Sequence, residues 1–206
     1  MMRRSSIVAV SLLLSMVFQA AVAVAGLPTD QIKSTVDKAL VVLKDPSLKP
    51  AAKTKARRDQ LKQILYARFD FTEMAKRSLG ANWPRRTSQE QAEFIPLFTD
   101  VLEHAYADII ESYIDDKIKI VYVSERVDGT FADVNSKIRT GKGDEYSLNY
   151  KAHMVGSEWK VYDIVAENIS LVNNYRSQFN RVISNASYEE LVRRLRDKSQ
   201  FAAPKP

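Results

Sequence analysis

Apolar residues recur every three or four positions in the first half of the chain, which is the period of an amphipathic helix. Ser88 and Gln91 predict a capping box at the start of the clearest run, and Pro96 predicts a kink or a later start. Weaker runs predict three earlier helices, the third spanning Phe71 to Leu79 with Gly80 as its cap. The apolar positions of the clearest run are Phe94, Leu97, Phe98, Val101, Leu102, Ala105, Tyr106, Ile109 and Tyr113.

After Asp116 the apolar spacing changes from about 3.6 residues to two, the period of a strand with one buried face. Four alternating runs follow, and three glycine-containing turns separate them. Connections this short join antiparallel neighbours, because parallel strands need long crossovers. The turns are Asp128-Gly129, Gly141-Lys142-Gly143 and Gly156-Ser157.

Helical periodicity returns from Ser170 to Ile183 and again after Ser187, which forms a second capping box with Glu190. The sequence therefore predicts an α+β fold, in which about six helices wrap a curled four-stranded antiparallel sheet and enclose an apolar pocket. The apolar face of such a sheet has to be covered, and the long helix after Ser88 is the expected cover.

The N-terminus has the layout of a secretory signal peptide. Arg3 and Arg4 precede an apolar run from Ile7 to Phe18, and the small residues Ala23 and Ala25 frame a cleavage site. A membrane anchor is the alternative, but the run is shorter than the roughly 20 residues of a spanning helix. We expect residues 1–25 to be a cleaved signal peptide, residues 26–206 to form a single domain, and the protein to be exported.

Composition narrows the possible chemistry. The chain has no cysteine and two histidines, which removes thiol catalysis and cysteine-ligated zinc. It lacks the motifs of nucleotide-binding enzymes, serine hydrolases and zinc peptidases, and it shows no clustered metal ligands, so no cofactor or metal is expected. The formal charge of +6 favours anionic partners. Nucleic acid is not expected, because the export signal argues against it.

A few polar residues remain as candidates for chemistry. Asp163 lies among apolar alternating positions and is the best general base, although pairing with an arginine or with backbone groups is the favoured interpretation. Arg176 fits either phosphate binding or a brace between the last helices. The basic residues near Lys53 and Arg193 are favoured as solvated helix faces, with docking to anionic lipid or an acidic partner as the alternative.

Four stretches resemble the MlaC family, whose members are periplasmic phospholipid-binding proteins of the maintenance-of-lipid-asymmetry pathway, also called toluene-tolerance auxiliary components of an ABC transporter. The resemblance covers nearly all of the chain after the signal peptide. The stretches are Phe69 to Met74, Leu79 to Trp83, Trp159 to Ile164 and Ile169 to Phe179.

The resemblance implies a non-enzymatic phospholipid carrier that takes acyl chains into its interior. It implies shuttling between an outer-membrane lipoprotein–porin complex and an inner-membrane ABC transporter complex. We expect a periplasmic monomer. One alternative is a small α+β acid–base enzyme acting on an apolar substrate, with a pair such as Asp163 and a tyrosine. The other is an interaction module with a filled core.

Alternation along the helix and the strands predicts which side chains line the lipid pocket, and a filled core is the alternative for each of them. The predicted helix residues are Phe94, Phe98, Leu102, Tyr106, Ile109 and Tyr113. The predicted sheet residues are Val134, Ile138, Leu148, Tyr150, Met154, Trp159, Val161 and Val165.

Overall fold

The computed structural model describes residues 27–112, 118–197 and 200–201. The described chain forms six α-helices and five β-strands, with three short 3-10 turns between helices. The helices are α1 (Pro28–Lys44), α2 (Thr54–Tyr66), α3 (Phe71–Leu79), α4 (Ser88–Ser112), α5 (Leu171–Asn185) and α6 (Tyr188–Arg196). The strands are β1 (Lys119–Asp128), β2 (Phe131–Arg139), β3 (Glu145–Val155), β4 (Glu158–Ala166) and β5 (Ile169–Ser170).

The five strands form one antiparallel meander in the order β1-β2-β3-β4-β5. The four long strands and the α+β class confirm the sequence prediction. Strand β5 was not predicted, because two residues are too short for alternation to be visible. Gly129 and Gly156 occupy two-residue turns with φ angles of +57° and +61°, a backbone region that a side chain disfavours.

Two apolar clusters form the core. The helical cluster joins α3, α4, α5 and α6, and the sheet cluster joins β2, β3 and β4 to α1. The segment between α2 and α3 links them, since Phe69 packs against both clusters and forms a parallel bridge with Val161 at the edge of β4. The core is therefore divided rather than continuous between α4 and the sheet.

The helix that covers the sheet cluster is α1, whose Ile32 is buried against it. Helix α4 packs against α3 and α6 instead. The prediction that α4 covers the sheet is therefore wrong for the buried part of the sheet, which α1 covers. The reason is that α5 and α6 present apolar faces of their own, and these compete for the wide apolar stripe of α4.

Helix α4 begins at Ser88 as predicted, but its capping box lies one residue earlier. The backbone N–H of Glu90 donates to Oγ1 of Thr87 at 3.2 Å, and the Glu90 carboxylate accepts the N–H of Thr87 at 2.7 Å. Pro96 lies inside the helix and does not end it. The second predicted cap is confirmed, since Ser187 accepts the N–H of Glu190 at 3.2 Å.

Candidate functional site

The strand register collects most of the predicted sheet residues on one side of the sheet, which we call the inner face. Directly opposed residues share a face. Val134 opposes Tyr150, and Met154 opposes Trp159. By alternation the same face carries the predicted residues Ile138, Leu148 and Val161, together with Ile120, Tyr122 and Ile164, which were not predicted.

Burial changes along the inner face. At the end beneath α1, the side chains of Val134, Trp159 and Val161 are almost completely buried. At the opposite end the large apolar side chains are only half buried, and we call this group the open end. Its members are Ile120, Tyr122, Ile138, Leu148 and Ile164. The open end is the part of the inner face that the helices leave incompletely covered.

The last turns of α4 precede the strand that begins the open end. Residues 113–117 connect Ser112 to Ile118, so these two residues are at most about 22 Å apart. Tyr106 and Ile109, both predicted pocket residues, are half buried in this part of α4. Burial raises the pKa of Tyr106 to about 12, which keeps its hydroxyl protonated. The predicted residue Tyr113 lies outside the described residues.

Two tyrosines of the inner face, Tyr122 and Tyr150, are shielded from water. The Oη atom of Tyr122 is buried and has no hydrogen-bond partner among the described residues. Tyr150 is also buried, and burial raises the pKa of both phenols well above the ordinary value. A buried hydroxyl without a partner is uncommon in proteins, because it loses its bonds to water. The site therefore offers polar contacts as well as apolar surface.

Three of the predicted helix residues belong to the helical cluster instead. Phe94 and Phe98 are completely buried in the helical cluster, where their rings meet Phe179 edge-on at centroid distances of 5.7 Å. Leu102 also belongs to this cluster, and Tyr106 packs at its margin. The structure thus separates Phe94 and Phe98 from the sheet residues with which they were grouped.

A β-bulge changes the face of the last predicted sheet residue. The register between β3 and β4 shifts at Lys151 and Ala152, so Val165 opposes Asn149 rather than Leu148. Val165 and Asp163 consequently point to the face opposite Trp159, and the expectation that they share its face is wrong. A single inserted residue reverses every later side chain of a strand, and simple alternation does not reveal it.

Asp163 is engaged in structure. Its carboxylate accepts hydrogen bonds from Ser170 Oγ at 2.6 Å and from the backbone N–H of Val172 at 3.0 Å. Ser170 in turn accepts the N–H of Asn173 and caps α5. The favoured interpretation of Asp163, hydrogen bonding to backbone groups, agrees with this geometry.

The other polar candidates also make local contacts. The Arg176 guanidinium donates through Nε to the carbonyl of Arg77 at 2.7 Å and packs beside Gly80, which ties α5 to the end of α3. His153 contacts the Asp70 carboxylate at 2.9 Å and stacks on Phe131. The first contact joins two helices, and the second joins the start of α3 to the sheet.

Helix α2 is fastened to the end of α4 by ion pairs. Glu111 pairs with both Arg57 and Arg58 at 3.1 Å, and Arg58 also reaches Asp108 at 2.5 Å. One turn further, Lys62 pairs with Glu103 at 2.9 Å. The side chains of Arg57 and Glu111 are largely buried, so their contact is more strongly held than a surface pair.

A surface cleft of about 520 Å³ lies between α2, α3 and α4, and none of the predicted pocket residues lines it. Within residues 27–112, 118–197 and 200–201, no group of side chains is arranged to hold a metal ion. In the same ranges, every helix is too short or too polar to cross a bilayer. The open end of the inner face is therefore the candidate site that the predicted residues support.

Comparisons with known proteins agree on one family. The chain is 23% identical over 120 residues to the intermembrane phospholipid transport system binding protein MlaC of Haemophilus influenzae, a match that covers 57% of this chain and 56% of that protein. It is 26% identical over 153 residues to toluene tolerance protein ttg2D of Pseudomonas putida, covering 74% and 71% of the two chains. The chain thus spans little more than half the length of the first relative.

A solved structure has the same fold. The phospholipid-binding protein from Ralstonia solanacearum, in complex with a phospholipid, superposes with a TM-score of 0.75 at 25% identity and covers 84% of this chain and 97% of its own. The family described as "MlaC protein" matches residues 33–197. That match spans most of the sequence, so the chain belongs to the MlaC protein family.

Proposed function

We propose that this protein is a phospholipid carrier that holds acyl chains against the open end of the inner face. The observation that carries the proposal is the uneven burial of that face. Large apolar side chains such as Ile138 and Leu148 stay half buried although the opposite end of the same face is closed. Apolar surface left exposed in this way marks a binding site.

The energetics of lipid transfer explain why such a carrier needs no reactive groups. Each methylene that leaves water gains about 0.8 kcal/mol of free energy, so moving a sixteen-carbon chain into water costs on the order of 11 kcal/mol. A carrier has to supply an interior about as apolar as the bilayer, and not a much better one, because the lipid must also leave. We propose on this basis that the protein is not an enzyme.

The names of the relatives and the Ralstonia complex support the choice of phospholipid as cargo. We extend the proposal to a pathway: the carrier moves phospholipid between an outer-membrane lipoprotein–porin complex and an inner-membrane ABC transporter complex, and so maintains outer-membrane lipid asymmetry. The carrier acts in the periplasm as a monomer, after cleavage of the signal peptide at residues 1–25.

We propose that the wall of the lipid site contains fewer residues than the sequence predicts. Leu148 and Ile138 supply the sheet side, and Ile109 supplies the helix side, whereas Tyr106 packs against the helical cluster. Val134, Tyr150, Met154, Trp159 and Val161 share the inner face, and most of them are buried at or next to its closed end. Phe94 and Phe98 support the helices from within the helical cluster.

A transfer experiment tests the proposal. Donor vesicles with labelled phospholipid and acceptor vesicles are separated by a filter that passes protein but not vesicles. The proposal expects label in the acceptor vesicles only when the protein is present. Transfer equal to that of a protein-free chamber would contradict it. Mass measurement of the protein recovered from the periplasm tests the cleavage after Ala25.

A further inference from the structure

Positive charge is concentrated in the first two helices. Residues 28–66 contain nine Lys and Arg residues and four Asp and Glu residues, a net charge of +5, whereas the whole chain carries +6. This segment is about a fifth of the sequence. The rest of the chain is therefore close to neutral, and α1, α2 and their connection form a basic region.

Some of these basic residues form ion pairs with α4. Arg57, Arg58 and Lys62 pair with carboxylates of that helix. The connection between α1 and α2, residues 44–55, carries four of the nine basic residues of this segment, and we call it the basic corner. Its one acidic residue is Asp45, whose carboxylate accepts the backbone N–H of Ser47 at 2.8 Å. The lysines are Lys44, Lys49, Lys53 and Lys55.

The surface of the basic corner is lysine separated by small apolar residues. Lys49, Lys53 and Lys55 are exposed, and the Lys55 side chain is 88% accessible even though it pairs with Asp59. Most other residues of the corner are also exposed: Pro46, Ser47, Pro50, Ala51 and Ala52. Lysine is a flexible point charge, suited to diffuse attraction rather than to fixed geometry.

The basic corner lies beside the end of α4 that leads to the sheet. Arg57 donates to the carbonyl of Leu48 in the corner at 2.7 Å and also pairs with Glu111 at 3.1 Å. Glu111 belongs to the last turn of α4, next to the 113–117 connection and the start of β1. Helix α1 gives the direction, since Thr29 at its start donates to Glu125 of β1 and Asp37 further along it lies close enough to act on Tyr122. The corner follows the end of α1 and is therefore at the same end of the molecule as the open end.

We propose that the basic corner docks this protein onto the surface of an anionic phospholipid bilayer, with the open end of the inner face beside the membrane. The inference rests on the proposed function and extends it to the contact with membranes. Anionic headgroups attract each nearby lysine by about 1 kcal/mol and require no shaped groove. A protein partner is favoured less, because the corner has no exposed large aromatic or aliphatic side chain of the kind that anchors protein interfaces.

Vesicle flotation tests the proposal. The probes are vesicles of phosphatidylcholine alone and of phosphatidylcholine mixed with phosphatidylglycerol, with the full mature chain. We expect binding to the anionic vesicles only, and loss of binding in 1 M salt, where charges are screened beyond about 3 Å. The triple variant Lys49→Glu, Lys53→Glu and Lys55→Glu should bind roughly 100-fold more weakly.

A matched variant separates position from total charge. Lys76→Glu, Arg85→Glu and Arg181→Glu change exposed residues of α3, of the turn before α4 and of α5 by the same amount. This variant should keep most of the anionic-vesicle binding. Equal loss in both triple variants would overturn the proposal, as would unchanged binding of the corner variant.

Failure of docking can be distinguished from failure of the carrier function. The corner variant should still carry phospholipid when it is purified from cells, because the open end is intact. A wild-type protein that carries phospholipid but ignores anionic vesicles would overturn the docking proposal alone and direct attention to an acidic protein partner. A wild-type protein without any lipid would instead contradict the carrier function.

Discussion

The Asp163 carboxylate accepts the backbone N–H of Val172 at 3.0 Å, and this contact joins the last long strand to the first turn of α5. Ser170 donates to the second carboxylate oxygen at 2.6 Å. Asp163 is 5% exposed, so both bonds are shielded from water. Asp163, the best candidate for a general base, therefore serves to hold the start of α5.

Replacing Asp163 tests whether its role is structural. Asp163→Asn keeps an acceptor for one of the two donors, and we expect it to lower the free energy of unfolding by about 1–3 kcal/mol. The variant should retain bound phospholipid, since the carboxylate does not lie on the inner face. Urea unfolding measures the first effect, and lipid extraction from the purified variant measures the second. Loss of lipid in a folded Asn variant would argue for a direct role in binding.

Leu148 tests the position of the wall. Leu148→Trp adds a large ring where the side chain is half buried on the inner face, so we expect the variant to fold and to lose most of its bound phospholipid. Val123→Trp is the control, because Val123 is 59% exposed at the bulge of β1. Lipid content is measured by extraction and folding by circular dichroism. Normal lipid content in a folded Leu148→Trp protein would remove Leu148 from the wall.

Replacing Glu111 tests how much the ion pairs between α2 and α4 stabilise the protein. Glu111→Gln removes the charge that Arg57 and Arg58 share, and we expect a loss of about 1–3 kcal/mol in the free energy of unfolding. Asp108→Asn is the matched control, since the Asp108 side chain is 84% exposed and its pair contributes at most about 1 kcal/mol. Equal effects of the two substitutions would contradict the special role of Glu111.

The same ion pairs make the free energy of unfolding depend on pH. Hydrogen bonds from Arg58 and Arg57 lower the pKa of Glu111 below its ordinary value of 4.5, despite the opposing effect of burial. A carboxylate with a lowered folded-state pKa stabilises the protein fully above its unfolded-state pKa. That stabilisation is lost as the pH falls through the folded-state value. Urea unfolding across this acidic range should therefore show a steeper loss for the wild type than for Glu111→Gln.

Replacing Tyr122 tests whether its buried hydroxyl destabilises the lipid-free protein. Its Oη atom is buried without a partner in the described chain, so Tyr122→Phe removes an unsatisfied polar atom. We expect the delipidated variant to be as stable as the wild type or more stable by about 1 kcal/mol. A loss of stability larger than this, measured by thermal unfolding, would mean that the hydroxyl has a partner in solution.

Periodicity in the sequence predicts elements well where a pattern is long and local. Helix α3 spans Phe71–Leu79 as predicted, and the three turns of the sheet fall where their glycines are. Which surfaces pack together depends on competition between faces far apart in sequence. The stripe of α4 suits the sheet and the last helices equally well, and the rings of Tyr175 and Phe179 take its first half.

The site residues show the same limit. Alternation identified Ile138, Leu148 and Tyr150 because their strands are regular there. It placed Val165 on the wrong face, because the bulge at Tyr162 leaves the hydrophobic pattern nearly unchanged. It also missed Tyr122 and Ile164, whose strands carry apolar residues on both faces at those positions.

Native mass spectrometry of the protein purified from cells that export it tests the central claim most directly. The account predicts a complex whose mass exceeds that of the polypeptide by the mass of phospholipid, and Leu148→Trp should reduce the complex while Val123→Trp does not. A bare polypeptide, both as purified and after incubation with phospholipid vesicles, would contradict the claim that the open end of the inner face holds acyl chains.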